Sequence, residues 1–366
     1  MPRRRKDGNP PLIRLFLPLA LLLILALGVS PLRAADIPCV WTDVERIVAV
    51  GDLHGDYENL VDILKGTGLV DEGLHWAGGR SHLVQTGDIM DRGPDARKIL
   101  DLLMKLELEA ALAGGKVHVL IGNHEMLNII GIAFEYPGYV TLAQFLSFLP
   151  EDFRESREKE VLKGAAADGS DAKTTSPEAS FLLKNYWAKT MKTDKDAQAA
   201  YAGAFIEDYG AWFLKKNCIE KINDVVFVHG GVSSKYSTWD LGRINSVLRE
   251  ELAFLSEPVK NPKVMRLFRP QIIYDRLGPL WYRDLAQRDE KEFARDIDQI
   301  FANLKARFMV IAHSPQIGSP VAMEYMSRFQ KRIWIIDTGI THAFGGRLSA
   351  LVIDNGQFSV WGEEDE

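Results

Sequence analysis

The chain has 366 residues, of which 46% are hydrophobic and 26% charged, and a formal net charge of −6. Its first 35 residues carry six basic side chains against one acidic, so the remainder stands at −11. Charge of that sign repels nucleic acid, and no basic stripe with interleaved aromatics offsets it, so a nucleic-acid partner is excluded.

The amino terminus opens with Arg3-Arg4-Arg5-Lys6, runs uncharged from Leu15 to Ser30 and ends in Ala34-Ala35. Basic, apolar and small-residue zones in that order are the pattern of a secretory signal peptide. The apolar stretch is slightly short for a spanning helix, while Arg33 interrupts the cleavage context. A cleaved signal over residues 1–35 is the preferred reading and an uncleaved membrane anchor the alternative. In both, the basic cluster stays cytoplasmic, and residues 36–366 are expected to face the periplasm or another extracytoplasmic space.

Six short aliphatic runs follow, bounded as buried strands are: Ile47 to Val50, Leu83 to Gln85, Val117 to Ile121, Val225 to Val228, Phe308 to Ala312 and Ile333 to Ile336. The first five lead into Gly51-Asp52-Leu53-His54-Gly55-Asp56, Gly87-Asp88-Ile89-Met90-Asp91-Arg92-Gly93, Gly122-Asn123-His124-Glu125, His229-Gly230-Gly231 and Ala312-His313-Ser314-Pro315. The sixth delivers Asp337-Thr338-Gly339 to the same edge. Between them, Asp95 to Ala113 puts Ile99, Leu102, Leu103 and Leu106 on one helical face, with Gly114 as a stop. The implied architecture is layered α/β, with a site on the loops at the carboxyl ends of the strands.

The long gap between Asn123 and His229 holds an insertion at about residues 134–214. It is aromatic from Phe134 to Leu149 and helix-prone from Glu151 to Lys163. Gly164 to Ser180 reads as a mobile loop, and Phe181 to Leu214 is helical again. A second insertion-like region, Ser237 to Leu277, is helical in part, with breaks at Pro258, Pro262 and Pro270. The strings span residues 52 to 313 and cannot be divided between independent units. One catalytic domain over residues 36–366, carrying an inserted cap, is therefore expected.

A lone Asp or His beside a loop is ordinarily a cap or a surface residue. Five such strings in series point instead to a two-metal phosphoesterase. Two divalent ions about 3.5–4 Å apart clamp phosphoryl oxygens and acidify a bridging water. Asp88 is the natural bridging carboxylate. Asp52 and His54, two residues apart at a strand exit, can turn towards one ion, and Asn123, His229 and His313 complete the second. Neutral oxygen and imidazole donors suit manganese, iron or zinc more than calcium or magnesium, and manganese is the expected metal with iron or zinc as alternatives.

These residues carry a resemblance. From about Ile47 to Val352 the chain resembles the calcineurin-like metallophosphoesterases, and within them the phosphoprotein phosphatase superfamily. The resemblance implies a β-sandwich flanked by helices with a largely helical insertion. It implies that His124 is the proton donor to the leaving oxygen, that Asp91 orients it, and that Arg92 binds phosphate. Ile121 stands where the eukaryotic Ser/Thr enzymes usually carry Arg. Asp337-Thr338-Gly339 with Gly345-Gly346 resembles the bacterial-type branch, which holds the diadenosine tetraphosphate hydrolases and the Shewanella-like protein phosphatases. Asp91 and Glu125, which the former typically lack, and Leu280-Trp281-Tyr282-Arg283 are similar to the latter, which makes Arg283 a second phosphate-binding arginine. The implied function is a dimetal phosphomonoesterase acting on phosphoprotein or phosphopeptide, at phosphotyrosine, phosphoserine or phosphothreonine. Attack would be direct, by a metal-bridging hydroxide, with His124 as general acid. The alternative is a small-molecule phosphohydrolase acting on nucleotides or dinucleoside polyphosphates. Contact with a membrane is expected only if the amino-terminal segment is uncleaved.

Phe134, Tyr136 and Tyr139 follow the His124 string and either wall the leaving-group side or pack the insertion onto the core. His82 and His118 lie inside strands and read as hydrogen-bonded structural imidazoles, and His75 as ordinary. His342 shares the site edge. Cys39 and Cys218 lie outside every string, and either a disulfide or two reduced thiols fits them.

Overall fold

The computed structural model describes residues 37–167, 185–190, 192–257 and 262–362. The amino-terminal segment read as a signal lies outside them. Eleven strands are found among the described residues: β1 (Val40–Trp41), β2 (Arg46–Val50), β3 (His82–Gln85), β4 (Lys116–Val119), β5 (Ile219–Ile222), β6 (Val225–Val228), β7 (Phe308–Ile311), β8 (Ser327–Arg328), β9 (Ile333–Ile335), β10 (Ala350–Asp354) and β11 (Gln357–Trp361). They form a six-stranded sheet in the order β1-β5-β6-β7-β9-β8 and a five-stranded sheet in the order β11-β10-β2-β3-β4. β2, β3 and β4 run parallel in one sheet, and β6, β7 and β9 in the other.

Strand periodicity divides the aliphatic runs between two cores. Ile47 and Ala49 of β2, Val225 and Phe227 of β6, Val310 of β7, Trp334 of β9, and Leu351 and Ile353 of β10 pack together between the sheets. Their neighbours Val48, Val50, Val226, Val228, Met309, Ile311, Ile333 and Ile335 face outward into the helices. Both faces of each sheet are covered, which is why these strands read as continuous apolar runs. The sandwich flanked by helices is thus borne out, and each fully buried Ile or Phe contributes about 1.5–3 kcal/mol.

Helix Ala96–Leu112 starts at Asp95 and buries Ile99, Leu102, Leu103 and Leu106 as expected. Among the described residues, the segment read as an insertion is mainly helical, with helices Leu142–Phe148, Glu151–Ala167 and Lys195–Phe205, the last continued through Ile206–Gly210 into Ala211–Phe213. Phe145, Phe148, Phe205 and Tyr209 surround or stack near Tyr201 to give it an aromatic core of its own. Gly164 to Ala167 do not open a loop but finish helix Glu151–Ala167. Alanines favour the helix there, and an unbranched Gly164 lets Tyr186 close against it. Residues 168–180 of the expected loop lie outside the described residues.

A buried polar chain joins β3, β4 and β5, starting from His82 at the end of β3 remote from the catalytic edge. His82 Nδ1 meets His118 Nε2 at 2.9 Å, and His118 Nδ1 meets Glu220 Oε2 at 2.5 Å. Trp41 Nε1 donates to the same carboxylate at 3.1 Å. The two strand histidines are structural, as their position suggested. Burial, reinforced by His118, pushes His82 down to about 4. The unfolded chain takes up this proton near the ordinary pKa of about 6.5. Stability is therefore complete above about pH 6.5 and is lost as pH falls towards 4, at up to about 1.4 kcal/mol per pH unit. His82→Gln should flatten the Tm-against-pH curve over that window, as measured by calorimetry at pH 4.5 to 7.

Candidate metal centre

Every string of candidate ligands lies at a carboxyl end of a parallel strand. Asp52 and His54 follow β2, Asp88 to Arg92 follow β3, and Asn123 and His124 open helix Asn123–Ile129 after β4. His229 follows β6, His313 lies just beyond β7, and Asp337 just beyond β9. The turns are tight enough that His54, Asp88, Asp91, Arg92 and His313 all adopt positive φ. Non-glycine residues in that region carry strain, which structures retain mainly at functional sites. Gly122 is required by contact: a Cβ there would collide with the Asp88 carboxylate.

Two compact groups result, His54 with Asp88 and His124, and Asp88 with His229 and His313; all are buried. Asp88 belongs to both. Its Oδ1 lies 3.3 Å from His229 Nε2, and its Oδ2 lies 3.9 Å from Nε2 of both His54 and His124. Asn123 Oδ1 is 3.0 Å from His229 Nε2, and His313 Nδ1 is 3.2 Å from it. His54 Nδ1 is 2.9 Å from Met90 O, and His229 Nδ1 is 3.0 Å from Thr86 O. A carbonyl only accepts, so both rings carry the proton on Nδ1 and aim a lone pair from Nε2 into the centre.

Asp52 lies beside the second group, with Oδ1 3.7 Å from His229 Nδ1, and is absent from the compact group formed by His54. Its carboxyl instead lies against that of Asp337. Burial, Asp337 and Asp88 together drive Asp52 well above the ordinary carboxylate range. Burial, opposed by contact with Asp52, leaves Asp337 raised to about 6. Burial alone would also raise Asp88, yet the imidazoles of His229, His124 and His54 outweigh it and hold it well below that range. Burial and His124 push His54 down to about 3, so its lone pair is available. His313 Nε2 and Asp337 Oδ2 are buried without hydrogen-bond partners. Clustered carboxylates, neutral imidazoles and orphaned acceptors fit divalent cations.

The surrounding residues are as ordered. His124 Nδ1 is 2.7 Å from Asp91 Oδ2. Burial disfavours its imidazolium, but Asp88 and Asp91 prevail, and its pKa is raised. Asp91 also accepts from Asn128 Nδ2 at 3.0 Å and Gln144 Nε2 at 2.8 Å, and Tyr201 Oη meets both of those amides. Gln144 and Tyr201 of the insertion thus join Asn128 in cradling the Asp91 carboxylate. Arg92 lies between two rings, 4.7 Å from the centroid of Tyr139 and 5.0 Å from that of Phe344. Arg283 reaches the cleft held by His313 O and Ser314 Oγ. The expected site residues meet in one region, and all but Asp91 and His229 line a cleft of about 200 Å³.

Of the three aromatics, Tyr139 packs over the His124 ring at 4.3 Å, and the half-exposed Tyr136 stacks on Tyr139 at 5.1 Å. Phe134 does not wall the cleft; it is buried against Tyr201, where its apolar ring fills the insertion core. His342 points instead to Asp56, with Nδ1 2.5 Å from Oδ2. Both cysteines are free thiols. Sequence reasoning gave no role to Phe344 and Gln144, which nothing local marks, nor to Trp281, although it lies in the Leu280–Arg283 stretch. It also underrated Glu125, whose place three residues into a helix opening is the mark of a capping carboxylate. Glu125 accepts from the backbone N–H of Asp88, Ile89, Met90 and Gly122 at 2.7 to 3.1 Å, tying two ligand loops together.

A mixed α/β sandwich with clustered Asp and His at its strand ends defines a metal-dependent phosphatase. The family model for calcineurin-like phosphoesterases matches residues 45–316, and the chain belongs to that family. It is 35% identical over 209 residues to Shewanella-like protein phosphatase 2 of Arabidopsis thaliana, covering 56% of this chain and 51% of that one. It is 27% identical over 307 residues to Shewanella-like protein phosphatase 1 of Plasmodium berghei, covering 81% and 67%. An uncharacterized protein of Schizosaccharomyces pombe is 29% identical over 310 residues, covering 84% and 76%. The same fold occurs in the cold-active protein-tyrosine phosphatase of a psychrophilic Shewanella sp., with a TM-score of 0.58, 23% identity, and coverage of 88% and 79%. A further structure, of a point mutant of a cold-active protein tyrosine phosphatase, gives 0.62, 22%, and 90% and 86%. The family implies divalent metals, and these clusters accord with it.

Glu125→Gln keeps the shape but loses the charge that four amides share. Hydrogen bonds to a charged group are worth about 1.5–3 kcal/mol each. The variant should lose about 2–4 kcal/mol in denaturant unfolding, and it should bind manganese more weakly than wild type by calorimetry.

Proposed function

We propose that this chain is a phosphoprotein phosphatase that hydrolyses phosphomonoesters at a dimetal centre held by Asp52, His54, Asp88, Asn123, His229 and His313. The observation that carries the reading is the size and rim of the cleft. At about 200 Å³ it is smaller than the roughly 300–1,000 Å³ of sites that enclose whole small molecules. A phosphoryl group can enter while the rest of the substrate lies across Tyr139, Trp281, Pro315 and Phe344, which are partly exposed residues of the lining. A peptide chain suits that arrangement better than a dinucleotide, which needs enclosure of its bases. The names of the Arabidopsis and Plasmodium relatives support the same substrate class.

Divalent ions, manganese first, would polarise the phosphoryl oxygens and acidify the attacking water. The chain's own residues do the remainder. Arg92 and Arg283, both lining the cleft, neutralise charge on the transferring group. His124, kept protonated by Asp91, gives its proton to the departing oxygen. Neither cysteine lies among the residues lining the cleft, so no phosphoenzyme is expected. The stacked pair Tyr136 and Tyr139 supports a phosphotyrosine ring as leaving group. The basic, apolar and small-residue zones of residues 1–35 support an extracytoplasmic location.

Manganese-loaded protein should hydrolyse phosphotyrosyl or phosphothreonyl peptides with kcat/KM at least about tenfold, or 1.4 kcal/mol, above that for diadenosine tetraphosphate. The reverse order would make it a small-molecule phosphohydrolase. His124→Asn should lower kcat about 10²–10⁴-fold on alkyl phosphates and much less on nitrophenyl phosphate, whose leaving group needs no proton. Tyr136→Ala should weaken phosphotyrosyl turnover selectively; equal loss on all substrates would reject the ring contact.

A further inference from the structure

Asp337 is used by none of the roles above, yet its surroundings are those of a functional carboxylate. It is 1% exposed, lines the cleft, and has an Oδ2 buried with no hydrogen-bond partner. Its carboxyl lies against that of Asp52, one of the residues assigned to the metal centre. The backbone holds it there firmly: Ile336 N donates to Ile311 O at 2.8 Å, and Gln316 N donates to Asp337 O at 2.9 Å. Gly51, the residue before Asp52, is pressed against Ile336 and Asp337 so closely that a Cβ would collide with that backbone. The loops after β2 and β9 therefore keep the two carboxyls together by main-chain contact, independently of the side chains.

Two buried carboxyls in contact repel each other unless a proton or a cation lies between them. A structural acid in such a place would be expected to accept from amides or cationic side chains. Glu125 does so fully, with four backbone donors, and Glu220 does so through His118, Trp41 and Asn217. Asp337 has one long contact, from Gly339 N at 3.4 Å to its Oδ1. It lines the same cleft as Asp52, Asp88, Asn123 and His313, whose acceptor atoms already converge there.

We propose that Asp337 is a further carboxylate of the metal centre, acting with Asp52 on the same ion. This rests on the dimetal reading of the site and adds a residue from the loop after β9 to it. The pairing also accounts for the isolation of Asp52 from the compact group of His54, because its partner comes from the opposite sheet.

The test is metal binding by the full chain, without turnover. Wild type, Asp337→Asn and Asp337→Ser are stripped with chelator, and their metal-free Tm is recorded. Manganese is then titrated by calorimetry, and bound metal is counted by elemental analysis. Wild type should hold two ions. Both variants should keep the metal-free Tm or exceed it, because a carboxyl repulsion is gone, while one ion binds at least tenfold more weakly and the manganese-induced rise in Tm shrinks. A merely structural Asp337 would lower the metal-free Tm and leave both manganese affinities unchanged, which overturns the proposal while the phosphatase reading stands. A wild type that holds fewer than two ions overturns the dimetal reading and this assignment with it.

Discussion

The carboxylate of Asp88, buried and shared between two groups of imidazoles, is the interaction around which this molecule is arranged. Three histidines face that carboxylate, and each of them comes from a different strand end. Bringing them together takes two sheets: His54 and His124 arrive from the β2-β3-β4 sheet, His229 and His313 from the β6-β7 side of the other. Packing of Ile47, Ala49, Phe227, Val310 and Trp334 between the sheets fixes the distance across which the ligands meet. The hydrophobic core and the site are thus one construction, because the same strands supply both.

Around this centre the acidic and basic groups are sorted by what each contacts. Asp91 faces His124 and the amides of Asn128 and Gln144; Glu125 faces backbone N–H groups; Asp52 and Asp337 face each other. One residue type thus serves as orienting partner, loop clamp and candidate ligand, with environment alone making the difference. Arg92 is held by the faces of Tyr139 and Phe344 where it lines the cleft. The insertion acts chiefly as a buttress, since Gln144 and Tyr201 reach from it to Asp91.

The six strands that carry the strings could be read from sequence because each is buried on both faces and ends at Gly or at a polar cluster. Helix Ala96–Leu112 could be read because its apolar stripe has one period throughout. β5, with Glu220 and Lys221 among its four residues, has no such run, and β1 is too short to leave a signal. The β10–β11 hairpin had one: Asn355-Gly356 between two apolar segments, both at positive φ, is the sign of a two-residue turn. Among site residues, those in contiguous strings were found. Phe344, Gln144 and Tyr201 were not, since their roles depend on long-range contacts that no local pattern encodes. Asp337 was placed on the correct edge without a role, because a single Asp after a strand is ordinary until its neighbours are known.

The central claim is that two ions flank Asp88, and anomalous diffraction from crystals of manganese-loaded wild-type protein tests it most directly. The account predicts two anomalous peaks about 3.5–4 Å apart, with the Asp88 carboxylate reaching both. A single peak, or two peaks of which Asp88 touches only one, would contradict it.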